Sequence, residues 1–260
     1  MPAGQPRLRR DFLPEDLADI LAEHRFDGSV VVQAATVPEE ATWLLELADR
    51  HDFIRGVVGW VDLTSQDVGA RLDVLQKHPK FRGVRHPAHD EPDDRWLLRE
   101  DVVRGLKELE RRDLPYDLLI RPRHLALIQE LADRVPKLRM AIDHLAKPPI
   151  AQKRMDGWDE DLRQIAQIPN IYVKLSGMIT EADPRNWTAR DLAPFVQHVY
   201  RLFGPDRLMF GSDWPVCLEA GSWKQVLAAC AQALGPIPMD LRSKIFGETA
   251  AQFYGLLYPA

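Results

Sequence analysis

Three short runs in this chain end, or are interrupted, by side chains that do chemistry. Arg207-Leu-Met-Phe-Gly-Ser-Asp213-Trp-Pro215 is an apolar strand that stops on a carboxylate ahead of a helix breaker. Leu138-Arg-Met-Ala-Ile-Asp143-His144 ends on an imidazole, and Ile171-Tyr-Val-Lys174-Leu-Ser176 carries an ammonium inside an apolar run. A carboxylate can take a proton from water or bind a divalent cation. A neutral imidazole can polarise a carbonyl, donate to a leaving oxygen or ligate a metal. Each has a plainer alternative: Asp213 capping the turn that follows it, His144 bonded to Asp143 or a loop carbonyl. A buried ammonium costs several kcal/mol unless it is paired or reaches solvent. Lys174 therefore either binds a substrate oxygen or a developing oxyanion, or closes a salt bridge to an acid such as Asp213 or Asp143.

Further polar residues fall at comparable strand ends. Arg85 and His86 close one apolar run, and the guanidinium fork of Arg85 suits a carboxylate or a pair of polyol oxygens. Gln33, Trp60, Asp62, Arg121 and Trp214 occupy similar positions and are candidates for shaping a pocket. Strand alternation turns Asp143 away from the side that His144 faces, which makes it a support residue. His24, His51, His78, His124 and His198 lie in or beside helical patterns on polar faces, and His89 opens an acidic loop, so all six are read as solvated. The polar segment 87–96 is either a lid over the catalytic side or a mobile connection.

Positioning such groups requires strands with a common end. Candidate strands cover 29–33, 54–61, 81–85, 116–120, 138–144, 171–175 and 208–211, mostly continuous apolar runs, as expected of strands buried on both faces. Between them, proline or oxygen-bearing caps precede acids at Leu13-Pro14-Glu-Asp, Val37-Pro38-Glu-Glu, Thr64-Ser-Gln-Asp67 and Thr188-Ala-Arg-Asp191, and Arg121-Pro122 opens a further helix. Leu44, Leu47 and Ala48, like Leu125, Ile128, Leu131 and Ala132, recur at helical spacing and face a sheet. Alternating strands and helices imply a parallel sheet with right-handed crossovers. No G-x-G-x-x-G turn follows the first strand, which argues against a doubly wound sheet. An α/β (β/α)8 TIM barrel fits better, because it gathers chemistry at the C-terminal ends of different strands. Only seven strands are visible, so the barrel is expected to lack its first strand. The whole of 1–260 is read as one domain.

Composition bounds the partners. With 260 residues, 45% hydrophobic and 28% charged, the chain can bury one sizeable core. A formal charge of -5 with interspersed signs offers no basic stripe for nucleic acid and no polybasic membrane anchor. Cys217 and Cys230, without a secretory apolar segment or a run near 18 apolar residues, point to a reducing, cytoplasmic setting. Cys217 is read as a small buried hydrophobe. A small-molecule substrate is the expected partner.

Phe81-Arg-Gly-Val-Arg85-His86, Ala141-Ile-Asp-His144-Leu-Ala-Lys-Pro148, Tyr172-Val-Lys174-Leu-Ser-Gly177 and Phe210-Gly-Ser-Asp213-Trp-Pro215 together resemble the amidohydrolase superfamily. Within it they are most similar to the lactone-hydrolysing branch, which includes L-fuconolactonase and 2-pyrone-4,6-dicarboxylate lactonase. The likeness extends to the closing segment Lys244-Ile-Phe-Gly-Glu-Thr-Ala-Ala-Gln-Phe-Tyr254. It implies a hydrolase that opens a sugar-acid or dicarboxylate lactone by direct water attack. Asp213 would be the general base, His144 and Lys174 would polarise the carbonyl, and Arg85, His86, Trp214, Trp60 and Gln33 would hold substrate. Superfamily members open with a strand ending in His-x-His, and this chain has no such pair; the absent motif and the absent strand read as one deletion. Members of this family use a divalent metal, commonly zinc, in some cases and not in others. Here only His144 and Asp213 remain as ligands, so weak or no metal binding is expected. An open barrel leaves two strand edges, and self-association through that gap is expected. Two other readings stay open: a metal-dependent decarboxylase of the same superfamily, and an incomplete, inactive barrel acting as a binding protein.

Overall fold

In the computed structural model, which describes residues 6–256, seven short strands run parallel and in chain order: β1 (Ser29–Val32), β2 (Ile54–Gly59), β3 (Phe81–His86), β4 (Tyr116–Leu118), β5 (Met140–Ile142), β6 (Ile171–Leu175) and β7 (Leu208–Phe210). Each pairs with the next, and among the described residues β1 and β7 do not pair with each other. The sheet curls into a TIM barrel short of one stave, as the strand count implied. Phe26, just ahead of β1, lies 5.9 Å from Phe210 of β7, so side chains meet across the gap where backbone bonds do not. All four residues of β1 are half-buried, in contrast to the buried β4 and β5, because none of the described residues pairs along the outer side of β1.

The strands are shorter than their apolar runs. Val61, Leu119, Ile120 and Leu138 are buried yet lie outside β2, β4 and β5. Apolar character marks burial, whereas strand pairing ends where the chain turns toward a helix. Crossovers are made by α2 (Pro38–Arg50), α3 (Val68–Leu75), α4 (Glu100–Arg111), α5 (Ile128–Arg134), α6 (Trp158–Ile165), and α7 (Met178–Glu181) with α8 (Ala189–Phe203), while α1 (Pro14–Glu23) precedes β1 and α9 (Trp223–Leu234) follows β7. Cap chemistry is explicit at α8, where Asp191 accepts from the Thr188 amide at 2.9 Å and its hydroxyl at 2.8 Å. After Arg121-Pro122 the chain first makes a 3-10 turn, Pro122–Leu127, and only then α5.

Parallel register decides what fills the barrel. Arg85 is opposite Asp117, Asp117 opposite Ala141 and Ala141 opposite Tyr172, so these four project to the same, interior side. Below them the C-terminal segment, α10 (Met239–Ser243), a π turn (Lys244–Glu248) and α11 (Thr249–Tyr254), closes the barrel floor. Phe253 and Tyr254 of α11 pack with Val58, Ala141 and Met209 in an interior cluster separate from the larger core between strands and helices. No helix among the described residues is long and apolar enough to cross a membrane.

Candidate active site

His144 and Asp213 come from different strands and meet. His144 Nε2 lies 3.6 Å from Asp213 Oδ1, and both side chains are nearly buried, at 11% and 15% exposure. The backbone that presents them is unusual. Residues His144, Leu145, Ala146 and Lys147, directly after β5, all have φ between +53° and +60°. This is one turn of left-handed helix made without glycine, a conformation that costs roughly 1–2 kcal/mol per residue. Its surroundings hold it in place. The Trp158 indole donates to the Leu145 carbonyl at 2.7 Å, the Lys147 amide to the His144 carbonyl at 2.7 Å, and Lys147 Nζ reaches Glu181 at 3.1 Å. Asp213 itself has φ +54°, a region that Asp visits more readily than most residues.

Gly177, at φ +62°, completes the seat of the imidazole. A Cβ there would come within 2.7–2.8 Å of His144 ring atoms. On the far side of the ring, Nδ1 is 2.8 Å from the hydroxyl of Ser176, which is 2% exposed. Burial lowers the pKa of His144, and the nearby Asp213 and Asp143 carboxylates oppose that only in part. The ring is therefore neutral near pH 7.

Lys174 does not join this pair. Its ammonium is held between Asp117 Oδ2 at 2.5 Å and Asp143 Oδ1 at 2.7 Å, inside the barrel. The salt bridge weighed as the alternative for Lys174 is present, to Asp143 as named and also to Asp117, which was not. Asp143 also corrects the expectation from alternation: it points inward, accepting from Arg85 Nη1 at 2.8 Å, while the left-handed turn swings His144 to the same mouth. Burial works to raise the Asp143 pKa, yet Lys174 and Arg85 outweigh it and keep this carboxyl well below the usual range. The other acid was missed by sequence reasoning. Asp117 is 1% exposed and accepts from the Tyr254 hydroxyl through both oxygens, at 2.8 and 2.9 Å. Burial pushes its pKa up to about 6, with Lys174 opposing and Asp143 adding to the rise. A lone Asp in the Tyr116-Asp-Leu strand was the signal available for it.

Four of the five candidate substrate-binding residues bond to each other. Arg85 Nε donates to Gln33 Oε1 at 2.8 Å, and its Nη2 meets the Gln33 carbonyl. The Trp60 indole donates to His86 Nδ1 at 2.9 Å, which leaves the ring proton on Nε2, directed at Glu91 Oε1 at 2.7 Å. Trp96 stacks on His86 at 4.0 Å. The 87–96 segment is thus fastened through Glu91 and Trp96 to the end of β3. Trp214 keeps its place beside Asp213, with Phe12 edge-on at 5.4 Å. Arg121, half-buried beyond β4, has no ion-pair partner among the described residues.

Three histidines read as solvated are not. His124 is 1% exposed and His198 8%, and the His89 side chain is 13% exposed, with its pKa lowered to about 4 by burial and then by the charges of Lys147 and Arg121. His89 packs over β4's end, its amide donating to the Leu119 carbonyl at 3.0 Å. Cys217 and Cys230 are buried thiols, pushed up to about 12 by desolvation, as the apolar reading of Cys217 expected.

A zinc ion wants about four ligands, at least three from protein. Among the described residues no three His, Cys, Asp or Glu side chains are grouped to supply them. His144 and Asp213 face each other as two donors, and His86 is turned to Glu91 and Trp60. This donor set does not fit a tightly held zinc ion.

A family model described as Amidohydrolase matches residues 1–256. The L-fucono-1,5-lactonase of Burkholderia ambifaria is 41% identical over 258 residues, spanning 96% of this chain and 88% of that protein. The L-fucono-1,5-lactonase of Burkholderia multivorans is 37% identical over 269 residues, spanning 99% and 90%. A crystal structure of an amidohydrolase from Burkholderia multivorans with bound zinc superposes with a TM-score of 0.93 at 36% identity, covering 98% of this chain and 93% of that one. With the barrel, the strand-end imidazole and carboxylate, and these similarities in agreement, the chain belongs to the amidohydrolase family.

Proposed function

We propose that the protein hydrolyses a small lactone, a sugar-acid or dicarboxylate lactone, by direct attack of water and without a covalent intermediate. The observation that carries this reading is the approach of His144 Nε2 to Asp213 Oδ1, 3.6 Å apart at one mouth and delivered by separate strands. The two L-fucono-1,5-lactonases, at 41% and 37% identity over nearly the full chain, support the substrate class.

The chemistry follows from the two groups. The Asp213 carboxylate takes a proton from water as the oxygen attacks the lactone carbonyl. The neutral His144 ring donates a hydrogen bond to the carbonyl oxygen as negative charge develops there, which is where a preorganised donor lowers the barrier most. Collapse breaks the ring C–O bond, and the proton held by Asp213 passes to the departing alkoxide. The product is the open hydroxy acid, with water fully accounted for. Arg121 is the mouth cation left to hold a polar substituent of the substrate, while Arg85, Gln33, Trp60 and His86 set the walls. No step runs through a metal.

A panel of neutral sugar 1,5- and 1,4-lactones and a 2-pyrone dicarboxylate, followed by pH-stat titration with parallel detection of carbon dioxide, tests this. Acid release matching an opened lactone is expected. Carbon dioxide release, or no turnover on any lactone, overturns it.

A further inference from the structure

We propose that Ser176 is a positioning residue: its hydroxyl donates to His144 Nδ1 and thereby keeps the ring proton on Nε2, the nitrogen that faces Asp213. The inference rests on the lactonase reading for what that proton does, and on geometry alone for where it sits. Ser176 Oγ is 2.8 Å from Nδ1, and this is its one hydrogen bond among the described residues. In a neutral imidazole one nitrogen donates and the other accepts, and the bond made by one fixes the role of the other. Were the proton on Nδ1, the ring would donate to Ser176, and the buried hydroxyl would hold its own proton with no acceptor, a costly arrangement. The opposite assignment satisfies both groups. It also turns an N–H toward the Asp213 carboxylate, the acceptor found on the Nε2 side. Two separate neighbours thus select the same tautomer.

The packing leaves little freedom to break this arrangement. Gly177 allows the ring to lie where a Cβ would stand, and a Cβ on Gly211 would come within 2.9 Å of Ser176 Cβ. The order Asp213, His144, Ser176 superficially suggests a nucleophilic serine with its base. Yet Ser176 is 2% exposed and sits behind the imidazole, on the side away from Asp213, so a lactone carbonyl has no approach to its oxygen. Its part is to aim the ring, and the Nε2 proton is the one that can bond the carbonyl oxygen.

Nitrogen-15 NMR of the histidine-labelled full chain, with the His144 signals assigned by their loss in His144→Gln, reads the tautomer without any substrate. Wild type is expected to show a bare, pyridine-type Nδ1 and a protonated, pyrrole-type Nε2. Ser176→Ala, nearly isosteric and checked for folding by its thermal melt, should show averaging between tautomers and a kcat reduced on the order of 10- to 100-fold with KM changed less than about twofold. Ser176→Cys, which keeps a weak donor, should recover part of the loss. A proton on Nδ1 in wild type, full kcat in Ser176→Ala, or an acyl adduct on Ser176 trapped by acid quench and mass spectrometry would each overturn the proposal. An Nε2–H tautomer in a protein that opens no lactone would instead sink the functional reading and leave the hydrogen-bond assignment standing.

Discussion

The left-handed turn from His144 to Lys147 is the feature on which the site depends residue by residue, since right-handed backbone there would carry the imidazole away from Asp213. Gly177 is its counterpart, because the His144 ring occupies the space of a missing side chain. Gly177→Ala should therefore lower kcat by more than about tenfold and reduce stability by at least about 1 kcal/mol, read from turnover and denaturant titration; an unaffected kcat would show that the ring has room to move. Lys174 works at the same scale but on stability. Lys174→Met leaves Asp117 and Asp143 facing each other without their shared cation, and a loss of about 3–5 kcal/mol is expected by the same titration. The chemical types were legible in the sequence: an acid, an imidazole and an ammonium at interrupted apolar runs. Their partners were not, because Asp117 and Tyr254 lie 137 positions apart and only the folded barrel brings them together.

At the scale of elements, α11 is as much part of the barrel interior as the strands. Its Tyr254 hydroxyl donates to both oxygens of Asp117, which ties the floor to the ion cluster of Asp117, Lys174, Asp143 and Arg85. Tyr254→Phe should cost about 1–3 kcal/mol in equilibrium unfolding, since a buried carboxylate loses a donor while the ring volume is kept; a neutral effect would mean that water replaces the hydroxyl. Strand order and helix starts were readable from apolar runs and caps, as at Thr188 and Asp191. The turn after β5 was not, because propensities describe right-handed backbone and four left-handed residues without glycine arise only where tertiary contacts such as Trp158 to Leu145 enforce them. Helical position also misplaced His124 and His198, whose faces looked polar but pack against the 3-10 turn and α6.

For the whole molecule, burial of neutral histidines sets the response to acid. His86, His89, His124, His144 and His198 all have pKa values lowered by desolvation in the folded state, against about 6.5 when unfolded. The unfolded chain then binds more protons below about pH 6.5, so stability is fully present above that value and falls as pH drops. Asp117 opposes this, because a carboxyl raised to about 6 takes up its proton in the folded state first and favours folding between about pH 6 and 4. Asp161, raised by partial burial and by Glu160, opposes in the same sense. Five histidines against two carboxyls predict a lower melting temperature at pH 5 than at pH 7.5; an equal or higher one at pH 5 would contradict the buried, neutral assignment. The seven-stranded barrel places these groups, and it brings Asp213 and His144 to one mouth 3.6 Å apart, where the proposed function has both act on the lactone. Parallel pH-stat assays of wild type, Asp213→Asn and His144→Gln on the best lactone of the panel test that joint action most directly. Both variants should lose about 100-fold or more in kcat while still unfolding cooperatively, whereas wild-type turnover in either would contradict the account.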